Sequence, residues 1–170
     1  NTAVGASAGL LLQGAATSNT FVGALSGDAN TTGTGNSALG KGSLGGNTTA
    51  SYNTGLGENA LLANTTGASN TAVGNTALTA NTTASNNTAV GTSALAANTT
   101  ASNNTAVGTS ALAANTTGTS NSAFGYTVLD SNTTGHSNNA FGADLPGVVA
   151  GSALTANTTG LRNSAFGGSA

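Results

Sequence analysis

The sequence predicts an all-β fold, a parallel β-solenoid (a β-roll or β-helix) with one coil for each 17-residue repeat. A pentapeptide Asn-x-x-x-Gly with a bulky fourth residue recurs ten times, most often 17 residues apart. This period is too short for helical hairpin repeats, which need about 33 residues. Bulky side chains are also too few for a globular core, with four Phe, two Tyr and no Trp or Met. Stacked coils around a narrow interior satisfy both observations.

The consensus unit is N-T-A-V-G-x-x-A-L-x-A-N-T-T-x-x-x, whose residues we number as positions 1 to 17. Position 5 is Gly in all ten copies, which indicates a positive φ or a bend too tight for a Cβ. Position 4 is always Val, Leu or Phe, and position 9 is usually Leu. We expect both positions to point inward and form core ladders, among them Val73, Val90, Val107, Phe124, Leu78, Leu95, Leu112 and Leu129.

Each unit is expected to contain two short strands, around Thr-Ala-Val and Ala-Leu, with the Gly corner between them. Asn-Thr-Thr is expected to form the return turn. In stacked coils its Asn residues gain amide hydrogen bonds along the axis. Each triplet is also an Asn-x-Thr sequon, so N-linked glycans are the alternative interpretation. The Asn residues concerned are Asn30, Asn47, Asn64, Asn81, Asn98, Asn115, Asn132 and Asn157, and two further sequons begin at Asn86 and Asn103.

The domain organisation follows the repeat. Residues 1–170 form one repeat domain of about ten coils. The first two units, residues 1–35, are irregular, and residues 143–150 are an insertion expected to loop out of one coil. The chain begins without Met inside the repeat pattern, which indicates a processed product or a piece of a longer protein.

Composition argues against several classes of function. Charged residues make up 4% of the chain and the net charge is −2, so no basic patch is available for nucleic acid. No apolar run approaches the roughly 18 residues of a membrane span. The chain has no Cys, hence neither disulfides nor thiolate metal sites. We therefore expect no nucleic-acid partner, no membrane span, no metal and no cofactor.

Catalytic constellations are equally hard to assemble. His136 is the only histidine, which leaves no partner for a metal site with Asp130 and no base for a Ser or Thr nucleophile. Residues 40–45 match G-x-G-x-x-G. A dinucleotide loop also needs a strand before the motif and a helix after it, whereas this match is the ordinary repeat with extra Gly. We predict that the chain is not an enzyme.

The pattern N-T-A-V-G-x-x-A-L-x-x-N-T-T-G resembles a repeat of long bacterial and phage tail-fibre-like surface proteins. It is more loosely similar to the β-roll heads of trimeric autotransporter adhesins, whose unit is shorter. The resemblance covers essentially the whole chain and implies an extended, often trimeric, surface-exposed fibre. It carries over no catalytic residues.

The expected function is thus structural, as part of an extracellular fibre, filament or stalk on a cell surface or virion. The expected partner is another copy of the chain, in an end-to-end filament or a homotrimer. The alternative is an ice-binding or glycan-binding solenoid. Ice-binding faces usually carry Thr-x-Thr, whereas the two Thr of Asn-Thr-Thr are adjacent and should point to opposite faces.

Overall fold

The structure, a computed structural model, describes residues 1–142 and 152–167. Within these ranges, ten parallel strands of three residues each form one sheet, in which each strand pairs with the strands before and after it in the chain. No helix occurs among the described residues. The predicted parallel β-solenoid is confirmed. The strands are β1 (Thr2–Val4), β2 (Thr20–Val22), β3 (Ser37–Leu39), β4 (Thr54–Leu56), β5 (Thr71–Val73), β6 (Thr88–Val90), β7 (Thr105–Val107), β8 (Ser122–Phe124), β9 (Asn139–Phe141) and β10 (Ser164–Phe166).

The strand register places equivalent residues of successive repeats next to each other along the axis. Thr71 lies opposite Thr88 and Val73 opposite Val90, so each strand residue is flanked along the axis by its own equivalents. At roughly 4.8 Å per strand, β1 and β10 are about 43 Å apart. Residues 143–150, the expected looped-out insertion, lie outside the described residues. The strands on either side keep the register, with Ala140 opposite Ala165.

In residues 1–142 and 152–167 each unit contains one strand, so the predicted second strand is wrong. Positions 6–11, here called the turn segment, form a run of turns in which Ser93 and Leu95 have φ of 57° and 52°. Its amides alternate between partners. The Ala94 amide donates to Gly91 in its own coil at 3.3 Å, and the Leu95 amide donates to Ala111 in the next coil at 3.0 Å. A strand would send Ala94 and Leu95 to opposite faces, whereas the turns bury both completely.

The core places small residues where the sequence suggested large ones. In the strands, position 3 points inward, and Ala72, Ala89 and Ala106 are fully buried. Position 4 therefore points outward. The inward assignment of Val73, Val90, Val107 and Phe124 was wrong, since all four remain partly exposed. The position 9 side chains Leu78, Leu95, Leu112 and Leu129 are fully buried, as expected. Where position 9 is Leu, leucine and asparagine side chains fill the interior and position 3 contributes only a methyl group, or none at Gly55.

The Gly at position 5 is required on two independent grounds. Gly91 has a φ of 135°, which L side chains rarely adopt. A Cβ on Gly91 would also lie 2.5 Å from the carbonyl of Gly108 in the next coil. The corner of every coil therefore packs directly on the corner of its neighbour.

In the irregular second unit, two positions exchange a large and a small residue, which keeps the volume of the core side chains nearly the same. Phe21 replaces the usual Ala at position 3 and is fully buried, while Gly27 replaces the usual Leu at position 9. A Cβ on Gly27 would lie 2.6 Å from the Phe21 ring. The large side chain has thus moved from the turn segment to the strand, and the amount of core is preserved.

This exchange predicts strong coupling between the two positions. Phe21→Ala alone should lower the free energy of unfolding by about 3–5 kcal/mol, because it leaves a cavity. Gly27→Leu alone should lower it by about 1–3 kcal/mol or more, because the new side chain overlaps the ring. The double variant recreates the consensus pair and should be more stable than either single variant. Denaturant unfolding of the four proteins measures the coupling, and additive losses would contradict the exchange.

Candidate interaction surface

The outward face of the sheet carries two columns of side chains. Position 2 supplies Thr or Ser, with Asn139 in β9, and position 4 supplies Val, Leu or Phe. Exposure along the position 4 column includes Leu39 at 54%, Val4 at 58% and Phe166 at 72%. We call this set the apolar column: Val4, Val22, Leu39, Leu56, Val73, Val90, Val107, Phe124, Phe141 and Phe166. The sequence analysis assigned position 4 to the core and so did not predict this surface. The signals that could have indicated it are the alternation of side chains along a strand and the ten bulky residues at a single position.

Aromatic rings stack along one end of the apolar column. The rings of Phe124 and Phe141 have centroids 4.8 Å apart and an interplanar angle of 4°. Those of Phe141 and Phe166 are 5.2 Å apart at the same angle. Because the three rings stack face to face, this end of the sheet presents ring edges on its outward side.

The Asn of Asn-Thr-Thr, at position 12, forms a ladder inside the coils. Asn98 Nδ2 donates to Asn81 Oδ1 at 3.0 Å and to the carbonyl of Ala101 at 3.0 Å. Asn98 Oδ1 accepts from Asn115 Nδ2 at 3.1 Å. Equivalent amide–amide bonds of 2.7–3.1 Å link all eight Asn from Asn30 to Asn157. Each buried amide is thereby satisfied, which offsets the cost of removing it from water.

A second Asn ladder runs through position 1 with a different pattern. Asn87 Oδ1 accepts from the backbone amide of Asn104 at 2.9 Å. Asn104 Nδ2 donates to the carbonyl of Gly118 at 2.9 Å. These bonds tie the start of each strand to the coils on both sides. Asn87 and Asn104 are fully buried, so the solenoid has a polar as well as an apolar interior.

The two Thr of Asn-Thr-Thr have different environments. At position 13, Thr82 Oγ1 donates to the carbonyl of Thr99 in the next coil at 3.1 Å, so its hydroxyl is part of the stack. At position 14 the side chain is exposed in every complete unit. We call this set the hydroxyl column: Thr32, Thr49, Thr66, Thr83, Thr100, Thr117, Thr134 and Thr159.

Burial separates the sequons into two groups. Seven of the Asn-Thr-Thr asparagines are buried, Asn157 is partly buried, and each Nδ2 donates to the carbonyl three residues later in the chain. These side chains favour the ladder over glycans. Asn86 and Asn103, by contrast, are exposed at position 17 with φ of 62° and 63°.

The chemically reactive candidates stay apart. His136 is exposed in the return segment (positions 12–17), and residues 41–46 continue Gly40 into turns instead of the helix a dinucleotide loop needs. Lys41 and Glu58 form a solvated pair 3.6 Å apart, a type of contact worth little stability. Within residues 1–142 and 152–167, no three His, Cys, Asp or Glu side chains cluster to hold a metal ion. No helix in this described part is long and apolar enough to cross a membrane.

The Asn ladder predicts a pH-dependent defect in Asn98→Asp. In this variant a carboxyl oxygen replaces Nδ2 and lies next to two acceptors, Asn81 Oδ1 and the carbonyl oxygen of Ala101. The carboxyl is also buried. Both the facing acceptors and the burial disfavour the charged form and raise its pKa above the usual value near 4. Below about pH 4 the neutral acid can donate there, and the loss of stability is small. As the pH rises through the raised pKa, the loss grows to several kcal/mol.

Thermal unfolding from pH 3 to pH 8 measures this effect. Thr100→Asp, two residues away on the exposed hydroxyl column, is the control and should unfold with nearly wild-type pH dependence. Equal behaviour of the two variants would contradict a satisfied, buried ladder.

The sequon burial predicts selective glycosylation in a glycosylating secretory host. The folded, secreted protein should carry glycans only at Asn86 and Asn103, since a glycan on Asn98 would replace one of the two Nδ2 hydrogens that donate inside the coil, and Asn98 is fully buried. Enzymatic glycan removal in heavy-oxygen water followed by peptide mass spectrometry identifies occupied sites. Thr88→Ala and Thr105→Ala remove the two exposed sequons and should leave the protein unmodified. A glycan on Asn98 in protein that unfolds like the unglycosylated form would refute the assignment.

Comparison with known proteins identifies no relative of this chain. No protein-family model matches the chain significantly, and neither a curated protein nor a solved structure does.

Proposed function

We propose that this chain is a structural component of an extracellular fibre, filament or stalk on a cell surface or virion. It acts as a stiff spacer without catalytic activity, and its partners are further copies of itself. The observation that carries the proposal is that neighbouring coils of the described part are hydrogen-bonded along the axis in the strand, turn and return segments.

The axial bonds are spread around the coil. In the strand segment, the Thr88 amide donates to Asn104 at 2.9 Å. In the turn segment the Leu95 amide donates to Ala111 at 3.0 Å, and in the return segment the Asn103 amide donates to Ser85 at 3.2 Å. Bending the stack in any direction stretches one of these sets. Stability that sums over such nearest-neighbour contacts suits a load-bearing or spacing element.

The surface supports the same role. Lys41 and Arg162 are the only trypsin-type cleavage positions in the sequence. Polar side chains of the described part form uniform columns of hydroxyls and amides. A nearly uncharged, tightly hydrogen-bonded stack is suited to exposure outside a cell.

Ice or glycan binding is the second candidate, and one observation favours it. In β5, β6 and β7 the Thr and Val side chains both face outward from the sheet. These side chains form an uncharged array of hydroxyl and methyl groups on one face, whereas the two Thr of each Asn-Thr-Thr segment have different environments. Ice recrystallisation and thermal-hysteresis measurements on wild type and Thr88→Tyr distinguish the candidates. Inhibition of ice growth that Thr88→Tyr abolishes would favour this second function.

Immuno-electron microscopy of source material tests the proposed function directly. Antibodies raised against the chain should label extended fibres that project from cells or particles. Labelling confined to soluble, dispersed material would contradict a fibre component.

Deletion of one consensus unit tests the spacer role. Removing Asn87–Asn103 brings Thr71–Val73 next to Thr105–Val107, which have the same sequence. The variant should fold, and its longest dimension in small-angle X-ray scattering should fall by about 4.8 Å. Binding or fibre incorporation should be nearly unchanged. A folded variant that loses its biological activity would show that the coils themselves form a specific site.

A further inference from the structure

We propose that the apolar column is a lateral interface that packs against the same column of a second copy of this chain. The inference rests on the proposed fibre function and names the surface that holds copies side by side. It is distinct from end-to-end contact between open sheet edges.

The placement of large and small side chains carries the first step. Strand alternation gives each unit a choice between burying position 3 or position 4. The structure buries Ala89 completely and leaves the larger Val90 partly exposed. Position 4 faces outward in all ten strands, including β2, where the larger Phe21 is buried at position 3 and Val22 lies outside. Ten bulky apolar groups therefore lie in one continuous line from Val4 to Phe166. Contiguous apolar surface of this kind marks interaction sites on soluble proteins.

The period of the column identifies the occupant. Its side chains recur once per strand, at about 4.8 Å. A partner that fills the gap between successive side chains along the whole column needs the same repeat. A second copy of this chain has that repeat, and two such sheets can pack face to face about 10 Å apart with nearly aligned strands.

Charge placement permits two identical faces to meet. The charged side chains of the described part lie in the turn and return segments: Asp28, Lys41, Glu58, Asp130 and Arg162. None lies on the strand face, whose second column is hydroxyl-bearing except at Asn139. Like-charge repulsion, which normally opposes self-pairing of a surface, is therefore absent from this face.

The area of the column sets the strength of the contact. A strip about 43 Å long and 10 Å wide is about 430 Å² per copy, or about 860 Å² in total. That is just below the roughly 1,000 Å² of a stable specific interface. Ten coils should associate weakly and reversibly. Each added unit lengthens the strip on both copies and should therefore tighten the association further.

The first experiment compares self-association of the full chain and two variants by sedimentation velocity over a range of concentrations. The test variant is Val73→Thr/Val90→Thr/Val107→Thr, which keeps shape and β-branching but adds hydroxyls to the column. The matched control is Thr83→Ser/Thr100→Ser/Thr117→Ser on the hydroxyl column. Wild type and control should associate with similar affinity, and the test variant should lose at least tenfold. Equal association of all three would overturn the proposal.

The second experiment does not depend on the stability of the triple variant. The chain has no Cys, so a single introduced thiol reports one contact. Parallel pairing predicts disulfide-linked dimers of Val90→Cys, and antiparallel pairing predicts them when Val73→Cys and Val90→Cys are mixed. Thr100→Cys, on the hydroxyl column, should remain uncrosslinked. Crosslinking of Thr100→Cys alone, or a strictly monomeric wild type, would overturn the lateral interface, whereas the fibre proposal stands or falls on the labelling experiment.

Discussion

In-register stacking of each coil on its own equivalents is the constraint on which the rest of the structure depends. A residue's neighbours along the axis are copies of itself, so only side chains that tolerate their own kind at strand spacing are retained. Asn satisfies this by donating to the Asn before it, and Gly by its lack of a Cβ. Charges do not, because like charges about 5 Å apart repel. The charged fraction of 4% follows from this, and the ion pair between Lys41 and Glu58 combines opposite charges in adjacent coils.

The two Asn ladders specify the register that this stacking needs. Apolar side chains slide past one another at little cost, whereas a buried amide displaced by one residue loses its partners. A slip of one residue would remove Asn98 from Asn81 and bring Thr99 toward the interior. The polar interior thus contributes uniqueness of the stack as well as cohesion, and a spacer of fixed length requires uniqueness.

The period, the Gly corners, the Leu core and the Asn ladder could all be predicted, because each depends on one residue type repeated at one position. The outward orientation of Val90 could not be predicted. Strand alternation allows either position 3 or position 4 to face the core, and hydrophobicity favours the larger Val at position 4 over the Ala at position 3. The turn segment was also hidden. Leu95 has a φ of 52°, which costs a bulky residue about 1–2 kcal/mol, so propensity predicts a strand there. The exposed apolar column followed only once the parity was known.

The apolar column also records how the repeats diverge. Its residue types occur in runs, where each rung matches at least one neighbour. Phe124, Phe141 and Phe166 stack ring on ring, a contact that a lone Phe between two Val would lack. A substitution in one coil is therefore favoured when the adjacent coil already carries it, as in a one-dimensional chain of coupled units. Sequence change at position 4 is then expected to shift the boundary between two blocks of identical residue type and to leave few isolated substitutions. The blocks in this chain are Val4 and Val22, then Leu39 and Leu56, then Val73, Val90 and Val107, then Phe124, Phe141 and Phe166.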